Sequence, residues 1–153
     1  MKRHQRSGLS VVVVGGGIIG ASIAYHLSRR GSSVTVIEEH SPGSGASSRS
    51  FAWINATAKS PLDYHDLSRR SLEMWDRFAS QLGGDVGLRW GGRFEWAATP
   101  EAAEELYLQV KQLQGWGYPC RMVNEAEMLQ LEPGLSLGPV TAAMYTEVDG
   151  QVD

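Results

Sequence analysis

Three glycines and one acid form the first pattern in this sequence whose residue types and spacing could do chemistry. Gly15, Gly17 and Gly20 have the spacing G-x-G-x-x-G, and Glu38 lies beyond them. Such glycines allow a sharp turn out of a strand, a close approach of the backbone to a pyrophosphate, and tight packing of the next helix. The acid follows the last glycine by roughly the 20 positions at which a ribose-binding carboxylate is expected. Together they predict a site for an adenine dinucleotide.

The elements that must position these residues are recognisable on either side of them. A β-branched run, Val11 to Val14, precedes the glycines, and a second, Val34 to Ile37, ends at Glu38. Between them a helix ending at Gly31 carries apolar residues at spacings of three and four: Ile23, Ala24 and Leu27. The amino end of such a helix favours an anion, and Glu38 would bind ribose hydroxyls and repel a 2′-phosphate. The stretch therefore predicts a Rossmann-like βαβ unit.

A second candidate binding segment follows Glu38. The loop from Glu39 to Asn55 contains a run of small residues, Gly43 to Ser48, and then Arg49. Free backbone N–H groups, three serine hydroxyls and a fixed positive charge could bind another side of a pyrophosphate. An ordinary Ser/Gly surface loop is the alternative interpretation of this segment.

The bulk composition excludes several classes of function. The chain has 153 residues, 42% of them hydrophobic, and a net charge of −3, which gives no electrostatic case for nucleic acid or an anionic membrane. No stretch approaches the ~20 apolar residues of a membrane span. The one cysteine, Cys120, fits a reducing cytoplasm, and the four histidines lack the spacing of metal ligands. The basic start followed by an apolar run could indicate a secretory signal, but its glycines and its periodic continuation to Glu38 argue against one.

The remainder predicts alternating helices and strands. Ser60 caps a helix that starts at Pro61 and ends at Gly83, and its apolar stripe is predicted to be core: Leu67, Met74, Trp75, Phe78 and Leu82. Leu88 to Ala98 is a strand bent at its Gly-Gly pair. A helix begins after Thr99, with one apolar face formed by Ala103, Leu106, Val110 and Leu113.

Shorter elements complete this second half. Strands are predicted over Tyr118 to Val123 and Val140 to Thr146, with a capping box at Asn124 to Glu127 between them. The last residues, Glu147 to Asp153, carry no helix, cap or closing strand by pattern. Aromatic residues of this half, which could line a substrate pocket or simply pack in a core, are Trp90, Phe94, Trp96, Trp116 and Tyr118.

These residues carry a family resemblance. The stretch VVVVGGGIIGASIAYHLSRRGSSVTVIEEH followed by GSGASSRSFAWINA resembles the amino-terminal part of the FAD-dependent D-amino acid oxidase, glycine oxidase and sarcosine oxidase family. The resemblance implies an FAD cofactor, an amine or amino acid substrate, and the segment Phe51 to Ile54 close to the isoalloxazine ring. The residues that it implies as cofactor-binding are Gly15, Gly17, Ile18, Ile19, Gly20, Glu38, Glu39, Gly45, Ala46, Ser47, Ser48 and Arg49.

The same resemblance sets the expected organisation. We expect a disordered tail at 1–10, the amino-terminal part of an FAD-binding α/β domain with an incomplete parallel sheet at 11–84, and the first part of an α+β substrate domain at 85–153. The family's substrate-binding groups would lie beyond residue 153, so no catalytic acid or base can be named. The remainder of a longer chain, or a partner subunit, would complete the sheet. An NAD-dependent dehydrogenase and a non-catalytic dinucleotide-binding fragment or subunit are the alternatives.

Overall fold

A computed structural model describes residues 8–153 of the chain and divides it into two compact units, one ending at Ser50 and the other running from Phe51 to Asp153. Of the predicted disordered tail, residues 1–7 lie outside the described residues and Ser10 is the first residue of a strand. The contacts divide the chain at residues 50 and 51, whereas the predicted domain boundary follows residue 84. How these units map onto the domains of a longer protein stays a prediction.

The first unit is the predicted βαβ unit. Strand β1 (Ser10–Val14) leads into helix α1 (Ile18–Arg29), which leads into strand β2 (Ser33–Ile37). The two strands are parallel, and Val11 pairs with Val34 and Val14 with Ile37. Since parallel neighbours need a crossover connection, the amphipathic helix between the two β-branched runs is what allows this pairing.

Much of the apolar surface of this unit is exposed. Val13 is buried, but Val12 is 60% exposed and Val14 is 83% exposed, so one face of β1 is covered and the other is not. On α1, Ala24 and Leu27 are half-buried, whereas Ile23 is 47% exposed. Strands that are apolar on both faces are typical of parallel sheets covered on both sides. The apolar residues on both faces of β1 are therefore typical of a strand buried on both sides, whereas here one of its faces is exposed.

The second unit contains two small antiparallel sheets. In one, β8 (Gly150–Gln151) lies between β3 (Trp53–Ile54) and β4 (Arg89–Trp90). In the other, β7 (Ala142–Thr146) lies between β5 (Arg93–Ala97) and β6 (Arg121–Val123). The expectation that the last residues form no strand was wrong, because β8 pairs with both of its neighbours.

Helix α4 (Pro100–Gly115) supplies the core of this unit. Thr99 caps it by accepting a hydrogen bond from the Ala102 N–H at 3.3 Å, and Pro100 occupies its first position, as predicted. Its inward face packs with strand residues and Tyr118, and the predicted buried positions are confirmed for Leu106, Val110 and Leu113. Helix α5 (Glu125–Leu131) begins with the predicted capping box between Asn124 and Glu127.

The helix predicted after Ser60 differs from the expectation in two respects. It is broken at Met74 into α2 (Leu62–Glu73) and α3 (Trp75–Leu82), and Pro61 rather than Ser60 is its cap residue. The predicted apolar stripe is not core: Leu67 is 62% exposed and Met74 is 49% exposed, while the buried residue of α2 is His65. The left-handed Gly83 ends α3 as predicted. Within residues 8–153, no helix is both long and apolar enough to cross a bilayer.

The core of the second unit can be tested with two identical substitutions on one helix. Leu106→Ala should lower the free energy of unfolding by about 2–5 kcal/mol, because Leu106 is only 4% exposed and truncation leaves a cavity. Leu108→Ala, at a position 61% exposed, should change it by about 0.5 kcal/mol or less. Urea unfolding followed by tryptophan fluorescence reports this unit. Equal effects of the two substitutions would contradict the packing described here.

Candidate dinucleotide site

The glycine turn between β1 and α1 has a tightly determined backbone. Gly15 has a φ of +100°, which side-chain-bearing residues rarely adopt, and its N–H donates to the Ile37 carbonyl at 2.8 Å. A Cβ added at Gly20 would overlap the Gly15 carbonyl oxygen. The third position of the pattern therefore requires glycine, because the first turn of α1 packs directly against the turn that follows β1.

Glu38 is held at this turn by backbone donors. Its Oε2 accepts from the Gly16 N–H at 2.6 Å, and its Oε1 accepts from the His40 N–H at 3.0 Å. These bonds, first that from His40 and then that from Gly16, lower the pKa of the carboxyl below its ordinary value. Glu38 is therefore ionised and oriented. A carboxylate has about four lone-pair positions, so it can accept further hydrogen bonds from two ribose hydroxyls.

The loop after Glu38 folds back onto the glycine turn, bringing the two predicted binding segments together. The Gly43 N–H donates to the Gly16 carbonyl at 3.0 Å. Ser47 lies in a short 3₁₀ helix, Ala46–Arg49, and its Oγ accepts from the Ile18 N–H at 2.9 Å. Gly17, the cap residue of α1, has no side chain that could accept a hydrogen bond from the first turn. The Ser47 hydroxyl instead accepts the bond from the first N–H of the helix. A ligand anion would share this helix terminus with Ser47. Because Ser47 accepts the bond from Ile18, its hydroxyl hydrogen can still be donated to the anion.

The hydroxyl of Ser48 is used differently. Its Oγ donates to the carbonyls of Ser44 and Gly45, at 3.1 and 3.0 Å. Because its hydrogen is already directed at backbone, Ser48 is a poorer donor to phosphate than Ser47. Arg49 ends the 3₁₀ helix and is exposed. The other predicted contact residues are also at or near the surface, where the structure leaves them accessible: Ile18, Ile19, Glu39, Gly45 and Ala46.

These residues fit the phosphate and ribose parts of a dinucleotide. The turn lacks side chains where a diphosphate would approach, and the amino end of α1 carries positive partial charge. The carboxylate is fixed beside it, and a cation follows in the adjoining loop. The described part of the chain, residues 8–153, contains no cluster of potential ligands that could hold a metal ion. The arrangement has the features expected of a dinucleotide-binding βαβ unit.

Comparison with known proteins identifies the family. A sequence profile of the family described as FAD dependent oxidoreductase matches residues 10–153. The chain belongs to this family of FAD-dependent oxidoreductases, which also selects FAD over the NAD alternative. The predicted fold class is confirmed: a βαβ unit with an incomplete parallel sheet, followed by mixed helices and strands, matches the amino-terminal region of solved members.

Three relatives illustrate the match. Glycine oxidase from Geobacillus kaustophilus is 35% identical over 148 residues, covering 93% of this chain and 39% of that protein. Its crystal structure superposes with a TM-score of 0.84 at 34% identity, covering 92% of this chain and 40% of the solved one. 4-Methylaminobutanoate oxidase (formaldehyde-forming) from Paenarthrobacter nicotinovorans is 31% identical, covering 93% of this chain and 17% of that protein. One subunit of the opine oxidase from Rhizobium meliloti is 28% identical, covering 95% and 42%. The chain thus spans about two fifths or less of the length of these relatives.

Sequence reasoning missed one glycine of the site. Gly16 provides both the N–H that fixes Glu38 and the carbonyl that receives Gly43, so it joins all three segments. A Cβ at Gly16 would lie 3.2 Å from the Glu38 side chain. The G-x-G-x-x-G pattern leaves this position unspecified, so spacing alone could not have selected it.

The glycine turn can be tested by adding one methyl group. Gly20→Ala should destabilise the first unit by about 1–3 kcal/mol, because the new Cβ must push α1 away from Gly15. Hydrogen exchange of the Val11 to Val14 amides would measure this loss. Gly115→Ala is the control, since a Cβ there meets no atom within 4 Å and the position is helical. Unchanged protection of β1 in Gly20→Ala would contradict the close contact.

The anchoring of Glu38 predicts a pH dependence. Because its pKa is lower in the folded chain, its stabilising contribution is complete above the ordinary value of 4.5 and is lost as the pH falls through the lowered pKa. Glu38→Gln should abolish this part of the acid-induced loss of protection in the β1 and β2 amides. Glu39→Gln is the control, because the neighbouring Glu39 carboxylate does not accept the bonds from Gly16 and His40. This variant should retain the acid-induced loss of protection. An identical acid profile for wild type and Glu38→Gln would contradict the anchoring.

Proposed function

We propose that this chain is the amino-terminal part of an FAD-dependent oxidoreductase that oxidises the C–N bond of an amino acid or secondary amine. The observation that carries the proposal is the Glu38 carboxylate fixed by Gly16 beside the glycine turn, in a chain of this family. The relatives named for glycine and for 4-methylaminobutanoate support the substrate class. The chemistry that FAD supplies, when bound, is acceptance of a hydride from the carbon next to the amine nitrogen, leaving an imine that water hydrolyses.

The residues of this chain bind and orient the cofactor in this proposal. Glu38 accepts hydrogen bonds from the adenosine ribose, and its charge excludes a 2′-phosphate. The glycine turn and the start of α1 receive the pyrophosphate, and Ser47 and Arg49 add a hydroxyl donor and a positive charge from the adjoining loop. The proposed contacts include Gly15, Gly17 and Gly20. None of the residues described here is proposed as a catalytic acid or base.

We also propose that further polypeptide covers the first unit, either the rest of a longer chain or a partner subunit. The exposed Val12 and Val14 on a sheet of two strands support this, because such strands are normally covered on both faces. One relative is named as a subunit of an opine oxidase, so a subunit role occurs in a related protein. The lone cysteine, Cys120, is buried as a free thiol and supports a reducing, cytoplasmic location.

Titration with FAD tests the proposal directly. The 153-residue chain alone should bind FAD weakly or not at all, because its parallel sheet is incomplete. The longer protein should form a stoichiometric yellow complex that glycine, N-methylglycine or 4-methylaminobutanoate bleaches without oxygen. Absorbance spectroscopy of both proteins measures this. A longer protein that binds NAD but no flavin would contradict the function, and a stoichiometric, amine-bleached complex of the shorter chain would contradict the need for further polypeptide.

A further inference from the structure

A buried carboxyl group lies in the second unit, directly before β8. Asp149 is 0% exposed and is the only buried acid among residues 8–153. The Tyr118 hydroxyl donates to its Oδ1, and the Trp53 indole N–H donates to its Oδ2 at 3.1 Å. Its backbone carbonyl accepts from the Gly92 N–H at 3.0 Å. This one residue therefore joins three segments that are distant in sequence.

The hydrogen bonds at this carboxyl group suit its ionised form. The Tyr118 oxygen accepts from the Ala56 N–H at 3.3 Å, which leaves its own hydrogen to be donated to Asp149. The indole N–H of Trp53 can only donate. Two donors therefore meet two oxygens, and an ionised carboxyl group accepts both bonds. A protonated one would bring a third hydrogen into the same space.

Burial and charge act in opposite directions on Asp149. Burial has the largest effect and raises the pKa of Asp149 above its ordinary value of 3.8. The hydrogen bond from Tyr118, the charge of Arg93 and the hydrogen bond from Trp53 lower this pKa by less. The charge of Arg93 is shared, because its guanidinium also pairs with Glu95 and lies 4.8 Å from the centre of the Trp53 ring. The charge of Asp149 is therefore only partly compensated.

Two further titratable groups belong to this cluster. Burial, and then the charge of Asp149, raises the pKa of the Cys120 thiol. The His65 ring of α2 packs against the Tyr118 ring at 5.4 Å, and its Nδ1 lies 2.8 Å from the Ala56 carbonyl oxygen. Since a carbonyl only accepts, Nδ1 carries the hydrogen of this bond. The two donors at its carboxyl group make Asp149 the member of the cluster at which proton uptake changes the hydrogen bonding.

The strand that Asp149 holds is short. Strand β3 lies at one edge of its three-stranded sheet and has two residues, Trp53 and Ile54, which pair with Gln151 and Gly150 of β8. Two residues make few backbone bonds, so the side-chain bond from Trp53 to Asp149 is a substantial part of what fixes this edge. A hydrogen bond to a charged acceptor is about twice as strong as one to a neutral acceptor. The charge state of Asp149 therefore decides how firmly Trp53 is held.

We propose that Asp149, Tyr118 and Trp53 form a pH-dependent switch within the second unit. When Asp149 is ionised, it fixes the Trp53 indole and with it the edge strand β3. When Asp149 takes up a proton, Tyr118 turns its own hydrogen away to accept the new one, and the bond from Trp53 weakens to that of a neutral acceptor. The switch needs no cofactor, so it does not depend on the proposed function.

Acid should loosen Trp53 without unfolding the unit. Because the pKa of Asp149 is raised in the folded chain, its ionisation costs stability above that pKa, and the cost is removed as the pH falls through it toward 3.8. Glu38 in the first unit has the opposite sign, since its contribution is lost in acid. Between the raised pKa and 3.8, the second unit should keep its fold while its bond to Trp53 weakens.

NMR of the 153-residue chain from about pH 7 to about pH 4 tests the switch. Carbon-13 labelling of aspartate side chains reports the protonation of Asp149, and 5-fluorotryptophan reports the Trp53 ring. Asp149→Asn removes the proton-binding group, and Trp53→Phe removes the indole donor while keeping a ring. Asp76→Asn is the matched control, because the Asp76 carboxylate accepts from the indole N–H of the exposed Trp90 at 2.7 Å.

We expect Asp149 to titrate above 3.8 and the Trp53 resonance to move at the same pH. Below this transition the Trp53 indole N–H, corrected for its intrinsic rate, should exchange about fivefold faster with solvent, while the α4 amides keep their protection. Trp53→Phe should move the Asp149 titration to higher pH, because the indole bond favours the ionised form. Asp149→Asn should abolish the Trp53 transition, and Asp76→Asn should retain it.

Three results would overturn the inference: an Asp149 titration at or below 3.8, a Trp53 resonance that does not follow it, or a loss of α4 protection at the same pH, which would mean unfolding. A Trp53 transition that persists in Asp149→Asn would also overturn it. If Asp149→Asn does not fold, the wild type and Trp53→Phe decide, because unequal midpoints for the two wild-type signals, or an unchanged Asp149 titration in Trp53→Phe, contradict the switch.

Discussion

The hydrogen bond from the Gly16 N–H to the Glu38 carboxylate is the interaction on which the rest of the cofactor unit depends. It links the turn after the first strand to the end of the second, so the proposed phosphate and ribose subsites lie at one corner of the unit. The Gly16 carbonyl receives the N–H of Gly43, and Ser47 reaches the first N–H of the helix. These contacts convert two stretches that are separate in sequence into one surface of backbone donors, a hydroxyl and an oriented charge. Only residues without a Cβ fit at its tightest point, where Gly20 meets Gly15.

Local patterns predicted the elements well where neighbouring residues decide the structure. The glycine spacing and two β-branched runs gave the βαβ unit, and Thr99 and the Asn124–Glu127 box gave the starts of two helices. The buried face of the helix after Thr99 followed from its spacing alone. In each case the interaction that determines the element joins residues at most four positions apart, or it is a parallel pairing of two strands connected by one helix.

Patterns failed where distant residues decide. The stripe from Leu67 to Leu82 has helical periodicity, but the buried residue of α2 is His65, which lies on another face. The His65 Nδ1 lies 2.8 Å from the Ala56 carbonyl oxygen. Its ring packs against the rings of Trp116 and Tyr118. The strand at Gly150–Gln151 has no strand-like composition and exists through its pairing with β3 and β4. Asp149 likewise has the sequence context of a turn residue. Nothing near it in sequence indicates that the Tyr118 hydroxyl and the Trp53 indole N–H donate hydrogen bonds to its carboxylate.

In the function proposed for this chain, the first unit provides backbone donors and one carboxylate for the dinucleotide. The most direct test of the central claim is a crystal structure of the longer protein with FAD bound. We predict diphosphate density against the turn from Gly15 to Gly20 and both adenosine ribose hydroxyls on Glu38. Diphosphate density remote from that turn, or a ribose that does not contact Glu38, would contradict the account.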